Sequence, residues 1–215
     1  MKSRNVSLRH PENIHPANPA GGEYFGCDQN WYKTKWQQIS GCAPSTAATL
    51  LLYLQKAHRI NLPMEVFEKK DCLLLMETVW NHVTPTPDGI YLSEQFCGGI
   101  QSFAQVHGFR PGCHSVDIPP DSQPRLALKT IIDFVAEGLA LDSPVAFLNL
   151  SNGGVANLEE WHWVTIVALE TDAAADQANV RIFDGDKSDL IDFKLWYETT
   201  VEGGALVYLV PEQRL

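Results

Sequence analysis

The strongest structural signal in this chain is the run Gly41-Cys42-Ala43-Pro44-Ser45-Thr46-Ala47-Ala48, which Thr49-Leu50-Leu51-Leu52-Tyr53-Leu54 continues. A proline is tolerated in the first turn of a helix, and Ser45 or Thr46 is a suitable capping residue. The residues that follow are apolar on nearly every face, as in helices that lie inside a protein. We therefore predict a buried central helix from Ala43 to about His58.

Cys42 stands at the start of this predicted helix, directly after Gly41. Free backbone N–H groups and the positive end of the helix dipole favour the thiolate form of a thiol at such a position. The thiolate is the nucleophilic form, and the N–H of Cys42 is available to stabilise an oxyanion. Gly41 leaves room for a substrate backbone because it has no side chain. The competing interpretation is structural: Cys42 is a small residue that fills a tight turn.

Three further helices are predicted before residue 143. They lie within 64–82, over 94–107 with Ser93 as the cap, and from Gln123 to Leu139. In the first of these helices, the apolar residues predicted to face inward are Val66, Phe67, Leu73, Leu74 and Val79.

The second half of the chain is rich in strands. They are predicted over 144–150, 162–169, 180–183 and 205–210. Helices followed by strands indicate an α+β fold, in which an antiparallel sheet packs against a helical half. We predict an N-terminal arm over 1–23 and one domain over 24–215, with a helical lobe to about residue 143 and a sheet lobe over 144–215.

His162 is the candidate base. It opens a predicted strand and is flanked by Trp161 and Trp163. A histidine that is held in place and partly desolvated at a strand entrance suits general base catalysis. By itself the position is more typical of a structural histidine whose hydrogen bonds are satisfied.

Asp184 is the candidate partner of His162. It ends the strand that follows the histidine strand, and the end of one antiparallel strand lies beside the start of its neighbour. From there a carboxylate orients the imidazole and stabilises its charged form. Asp184-Gly185 is also a common turn sequence, and Asp186 is the alternative candidate.

These segments resemble papain-like cysteine peptidases. Residues 41–48 resemble the Gly-Cys-Gly-Pro-Thr motif of that family, closest to the compact bacterial branch related to bacteriocin leader peptidases. Residues 161–164 resemble that group's His-Trp-Val segment, and residues 182–185 resemble its Asp-containing strand end. The resemblance implies a papain-like fold with a cleft between helices and sheet. It also implies thiol-dependent hydrolysis of a peptide or protein substrate by Cys42, His162 and Asp184.

Two positions depart from the family pattern. Ala43 replaces the glycine that usually follows the nucleophile, and Trp36 stands where papain has its oxyanion-hole glutamine. Gln29, Gln37 and Gln38 are the candidates for that glutamine. Gln29 is preferred, since residues 29–31 resemble the Gln-x-Trp stretch of the compact branch. These departures favour the alternative hypothesis, a catalytically silent papain-like protein that acts as a peptide-binding or structural module.

Composition excludes some other classes of function. The 215 residues include 26 acidic and 16 basic ones, a net charge of −10, which disfavours nucleic acid and anionic membrane surfaces as partners. The sequence predicts no membrane span and no secretory signal, and we expect a cytoplasmic protein.

The five cysteines are odd in number and none are paired as Cys-x-x-Cys, so no disulfide framework is predicted. His107 and His114 flank Cys113, but further ligands at a metal-site spacing are missing. We therefore predict no metal and no cofactor.

Overall fold

The computed structural model describes residues 3–18, 21–62, 64–174 and 176–211. The ends of the predicted arm and of the predicted sheet lobe, residues 1–2 and 212–215, therefore lie outside the described residues. The helices are α1 (Lys35–Ser40), α2 (Cys42–Lys56), α3 (Lys69–Trp80), α4 (Ser93–Val106), α5 (Leu128–Ala140) and α6 (Phe193–Thr199). The strands are β1 (Arg4–Ser7), β2 (Pro111–Ile118), β3 (Val145–Asn149), β4 (His162–Asp172), β5 (Gln177–Asp184), β6 (Lys187–Asp192) and β7 (Gly204–Pro211).

The strands form one antiparallel sheet in the order β2-β7-β3-β4-β5-β6, and β1 also pairs with β4. β3 pairs with residues 162–166 of β4, and β1 pairs with residues 168–171. The short strand β1 thus continues the line of β3 along the same edge of β4, while β5 runs along the other edge. The predicted α+β architecture with an antiparallel sheet is confirmed.

Helices cover both faces of this sheet. Side chains alternate between the two faces of a strand, so Trp163 and Phe147 point to opposite faces. Phe96 of α4 stacks on Trp163 with ring centroids 4.4 Å apart, and α2 packs beside α4. Trp196 of α6 lies 4.6 Å from Phe147, and Tyr208 on that same face contacts α5.

The predicted central helix is present as α2, and every residue from Ala43 to Leu54 is buried. The capping prediction is wrong. The helix begins at Cys42 with Gly41 as its cap, and the hydroxyl of Thr46 instead donates to the carbonyl oxygen of Trp163 at 3.1 Å. Thr46 therefore anchors α2 to the sheet.

Two inward-facing residues of the second helix were predicted wrongly. Phe67 and Leu74 are exposed, whereas Cys72, Leu75 and Met76 are buried. Helix α3 starts at Lys69, and the face that it turns toward α2 follows the i, i+3, i+4 spacing from Cys72. Phe67 precedes that helix and is outside its buried stripe.

The helical and strand-rich parts interleave more than the sequence predicted. β2 precedes residue 143 and joins the sheet by pairing with β7, while α6 lies among the later strands. Helix α5 begins at Leu128, five residues after the predicted start at Gln123. The intervening segment is a loop held by Arg125, whose guanidinium donates to the carbonyl oxygens of Pro119 and Thr200.

One disulfide is present among the described residues, and it corrects the interpretation of the cysteines as thiols. Cys97 of α4 and Cys113 of β2 are bonded, with Cα atoms 5.9 Å apart. The sequence did not predict the pair because the two residues meet only when α4 packs on β2. Disulfides are more typical of oxidising compartments than of the cytoplasm, so a cytoplasmic location stays a prediction.

The N-terminal segment packs onto the domain. β1 pairs with β4, and both Leu8 and Ile14 are buried. None of the helices in the described part of the chain has the length and apolar character that a bilayer crossing needs.

Candidate active site

Cys42 lies where α1 ends and α2 begins. It is the first residue of α2, so its backbone N–H has no acceptor within the helix. Its side chain is half-buried, whereas the other two free cysteines, Cys27 and Cys72, are buried. Burial and contact with Cys72 raise the pKa of the Cys27 thiol, the hydrogen bond with Cys72 being the larger cause. Cys42 is therefore the free thiol with the best access to solvent in the described residues.

The residues on either side of Cys42 are required by packing. A Cβ atom at Gly41 would come within 2.3 Å of the Gln37 carbonyl oxygen and 2.7 Å of the Tyr32 ring. Position 41 therefore requires glycine because a side chain there would clash with the core. The sequence had suggested a different reason, room for a substrate backbone. Ala43 is 1% exposed, so its methyl group belongs to the core and does not crowd the cleft.

His162 and Asp184 meet as the antiparallel pairing of β4 and β5 requires. His162 is the first residue of β4, and Asp184 is the last residue of β5. Nε2 of His162 lies 2.9 Å from Oδ2 of Asp184. The alternative candidate, Asp186, is exposed in the turn that leads to β6. Of the two acidic residues, the structure brings Asp184 to the imidazole.

The charged form of His162 is favoured despite its burial. Burial is the largest single effect and lowers the pKa of the imidazole. The hydrogen bonds that the imidazolium makes with Asp184 and Cys42, together with the charges of these groups, outweigh it and raise the pKa of His162 to about 10. At neutral pH the site therefore holds an imidazolium between the Asp184 carboxylate and the Cys42 sulfur.

Cys42, His162, Asp184 and Gln29 all line one small cavity of about 10 Å³ between α2 and the sheet. Gln29 belongs to a short 3-10 helix, Gln29–Trp31, and its Nε2 donates to the carbonyl oxygen of Gln38 at 2.9 Å. An amide nitrogen carries two protons, so one remains for a ligand at the cavity.

The other two glutamines have different surroundings. The side chain of Gln38 donates to the carbonyl oxygen of Tyr32 at 2.8 Å, which braces the loop before α1. Gln37 accepts a hydrogen bond from the Thr34 hydroxyl in the first turn of α1. Neither lines the cavity with Cys42. Within that cavity the structure brings only Gln29 of the three together with the thiol.

Glu159 is an acidic neighbour of His162 and Asp184 for which the sequence predicted no role. One ligand atom each of Glu159, His162 and Asp184 lies within 4.8 Å of the others. This set of one nitrogen and two carboxylate oxygens has donor types that bind zinc. Asn149 holds the backbone of Glu159 in position, since the Asn149 side chain donates to the Glu159 carbonyl oxygen at 2.6 Å. This set is unrelated to the position at Cys113, where the sequence predicted no metal site. The Cys113 sulfur is bonded to Cys97.

No protein-family model and no curated protein matches this chain. Among solved structures it is similar to the crystal structure of UfSP from C. elegans, with a TM-score of 0.54 and 10% sequence identity. The match covers 99% of this chain and 35% of that one, so the chain spans about a third of the length of UfSP.

Together, the antiparallel sheet, the buried helix that starts at Cys42 and the cleft between them define a papain-like α+β fold. UfSP, a cysteine protease, has this fold. At 10% identity the likeness concerns the fold alone.

Proposed function

We propose that this chain is a thiol-dependent hydrolase that cleaves peptide or related amide bonds. The observation that carries the proposal is the single cavity lined by Cys42, His162, Asp184 and Gln29, in which His162 is hydrogen-bonded to the Asp184 carboxylate.

In the proposed reaction the proton of Cys42 resides on His162 before substrate binds. Because Asp184 occupies Nε2, Nδ1 is the ring nitrogen that serves the thiol. The Cys42 sulfur attacks the carbonyl carbon, and the resulting oxyanion accepts hydrogen bonds from the Cys42 N–H and from Gln29 Nε2. The C–N bond then breaks as the imidazolium gives its proton to the leaving amine, which leaves a thioester.

Water completes the cycle. His162, now neutral, takes a proton from the water that attacks the thioester, and the C–S bond breaks to release the carboxylic acid. The proton remains on His162 and the thiolate on Cys42. Asp184 keeps the ring orientation and stabilises the imidazolium in both halves of the reaction.

The alternative is a papain-like protein without turnover. Two sequence features had favoured it, the alanine after the nucleophile and the displaced glutamine. The methyl group of Ala43 is buried in the core, and Gln29 lies at the cavity from another point of the chain. Both features are therefore compatible with a working site.

Alkylation of thiols tests the proposal. We expect iodoacetamide to label Cys42 selectively, because Cys27 and Cys72 are 5% and 0% exposed and Cys97 is bonded to Cys113. Labelling is read for each residue by mass spectrometry from about pH 4 to 9. His162→Ala should reduce the rate near neutral pH by about tenfold or more, since the imidazolium no longer stabilises the thiolate.

His82→Ala is the matched control, because His82 bonds to Ser102 and lies outside the cavity. Its labelling profile should match that of the unmodified chain. If Cys42 reacts no faster than the buried thiols, or if both histidine variants behave alike, the hydrolase proposal fails and the non-catalytic alternative replaces it.

A further inference from the structure

Glu159 lies beside the candidate base but takes no part in the proposed reaction. One ligand atom each of Glu159, His162 and Asp184 lies within 4.8 Å of the other two. None of the ion pairs that lysine and arginine side chains make in the described residues involves Glu159 or Asp184. Two carboxylates thus meet at one imidazole, with no lysine or arginine paired to either of them.

The spacing of these three atoms is close to that of a metal site. Zinc binds histidine nitrogen and carboxylate oxygen at about 2.0–2.2 Å, which places the ligand atoms of a tetrahedral site about 3.3 Å apart. Nε2 of His162 and Oδ2 of Asp184 are 2.9 Å apart, so a metal ion between them requires only a small separation of the two side chains. Glu159 is exposed, and its side chain is free to close the remaining distance.

The backbone of Glu159 is already held close to the imidazole. Three residues of extended chain would span about 10 Å, but the chain bends at Trp161, whose φ is +53°. Asn149 is fully buried; its side chain donates to the Glu159 carbonyl oxygen at 2.6 Å and accepts from Nε1 of Trp196 at 2.7 Å. The end of the loop that carries Glu159 is therefore anchored to the core, and a site that is already ordered binds at a smaller entropic cost.

The types of donor atom favour zinc. Mg²⁺ and Ca²⁺ prefer sites made of oxygen ligands, whereas an imidazole nitrogen with carboxylate oxygens is a common set for Zn²⁺. The Cys42 thiol is not among the clustered atoms of the described residues. The set therefore does not depend on the candidate nucleophile.

We propose that Glu159, His162 and Asp184 form a zinc site that switches off the candidate base. The Zn²⁺ ion takes the place of the proton between Nε2 of His162 and Oδ2 of Asp184, and that proton passes to solvent. The ring keeps its proton on Nδ1, the nitrogen that serves Cys42. The metal site is independent of the proposed hydrolysis, whereas its inhibitory effect rests on the proposed function.

Zinc on Nε2 prevents both proton transfers of the proposed reaction. The N–H of a neutral imidazole is a far weaker acid than an imidazolium, so the leaving amine is not protonated. With zinc on one ring nitrogen and a proton on the other, no lone pair remains to accept a proton from water. Zinc should therefore inhibit hydrolysis, and a chelator should restore it.

Calorimetric titration of the Cys42→Ala protein with zinc chloride tests the site in the absence of the thiol, which could bind zinc by itself. Zinc should bind to this protein. Glu159→Gln in the same background should weaken the binding by about tenfold or more, because one ligand is lost. Magnesium chloride should give no binding.

Glu160→Gln is the matched control. It removes the same charge from the next residue, which is also exposed, and the Glu160 carboxylate accepts from the N–H of Asn152 at 3.5 Å instead of joining the cluster. This variant should leave the zinc affinity unchanged. The proposal is overturned if Glu159→Gln and Glu160→Gln weaken binding equally, or if Cys42→Ala by itself removes zinc binding.

Inhibition is measured as turnover of fluorogenic peptides in micromolar zinc, each rate being divided by the rate of the same protein in a chelator. Glu159→Gln should need about tenfold more zinc for the same inhibition, and Glu160→Gln should need no more than the unmodified chain. Zinc that raises turnover, or that inhibits both variants equally, refutes the switch.

The two measurements separate this proposal from the hydrolase proposal. A chain that cleaves no peptide but binds zinc through Glu159 retains the metal site and loses the hydrolase function. A chain that cleaves peptides but binds zinc equally well in the Glu159 and Glu160 variants retains the hydrolase function and loses the metal site.

Discussion

The charge on His162 is the balance of opposing effects on one side chain. The imidazole is 8% exposed, and burial by itself favours its neutral form. The carboxylate of Asp184, 2.9 Å from Nε2, together with the Cys42 thiol reverses that preference. A histidine that stays charged at neutral pH inside a protein depends on these partners, so removing one of them has a measurable cost.

Asp184→Asn should lower the free energy of unfolding in a pH-dependent way. The pKa of His162 is raised to about 10 from an ordinary value of 6.5, so its charged form stabilises the folded state fully below about pH 6.5. That stabilisation is lost as the pH rises through about 10. The difference between the two proteins should be on the order of a few kcal/mol near pH 6 and shrink toward pH 10. Urea denaturation across this range measures it.

Asp186→Asn is the control for this prediction, because Asp186 is exposed in the adjoining turn. It should change the free energy of unfolding little at any pH. A difference for Asp184→Asn that stays constant with pH, or that grows above neutral pH, would contradict the assigned partnership.

At the scale of elements, α4 and β2 depend on each other. Ser93 had been predicted to cap α4. It is instead the first residue of the helix, and its N–H and hydroxyl both donate to the Asp117 carboxylate of β2. The disulfide between Cys97 and Cys113 joins the same two elements. Helix and strand are thus linked at two points, while β2 joins the sheet by pairing with β7.

Replacing Cys97 and Cys113 together by serine should destabilise the oxidised protein by about 3 kcal/mol, the value for a closed loop of this length. The separation of the two cysteines is 16 residues, and opening the loop restores conformational entropy to the unfolded chain. Urea denaturation with and without reductant measures the effect. Under reducing conditions the variant and the unmodified chain should be nearly alike. Labelling of all five cysteines in the unfolded, unreduced protein would disprove the disulfide.

At the scale of the whole molecule, the N-terminal segment is part of the sheet. β1 lies along the portion of β4 that β3 does not reach. Next to it, the N–H of Leu8 donates to the Val167 carbonyl oxygen at 3.0 Å, and its side chain is 2% exposed. Arg4 pairs with Asp133 of α5 at 2.7 Å. The segment therefore joins the central strand to a helix on one face of the sheet.

Leu8→Ala should lower the free energy of unfolding by about 2–4 kcal/mol, the range for large-to-small changes in a core. The same substitution at Leu126, which is 52% exposed, should change it by less than about 0.5 kcal/mol. Chemical denaturation compares the two variants. If Leu8→Ala has no more effect than Leu126→Ala, residues 1–23 form an arm that is independent of the domain.

Local pattern was enough to predict the buried helix α2, the strands β3, β4, β5 and β7, and the order of Cys42, His162 and Asp184 along the chain. Helical and strand periodicity are properties of near neighbours, and a cysteine before a helix is visible within a few residues. The α+β class followed from the same patterns.

Tertiary packing determined the features that depend on residues far apart in sequence. The choice of Asp184 over Asp186, the place of Gln29 at the cavity, and the bond between Cys97 and Cys113 were of this kind. The sequence did not predict β1 and β2 for the same reason. Each forms a strand by pairing with a strand that is distant in sequence, β1 with β4 and β2 with β7. Hydrogen bonds and contacts across a sheet, or between a helix and a strand, join residues that are far apart in sequence. No short stretch of sequence specifies which residues these are, so only the tertiary structure determines these contacts.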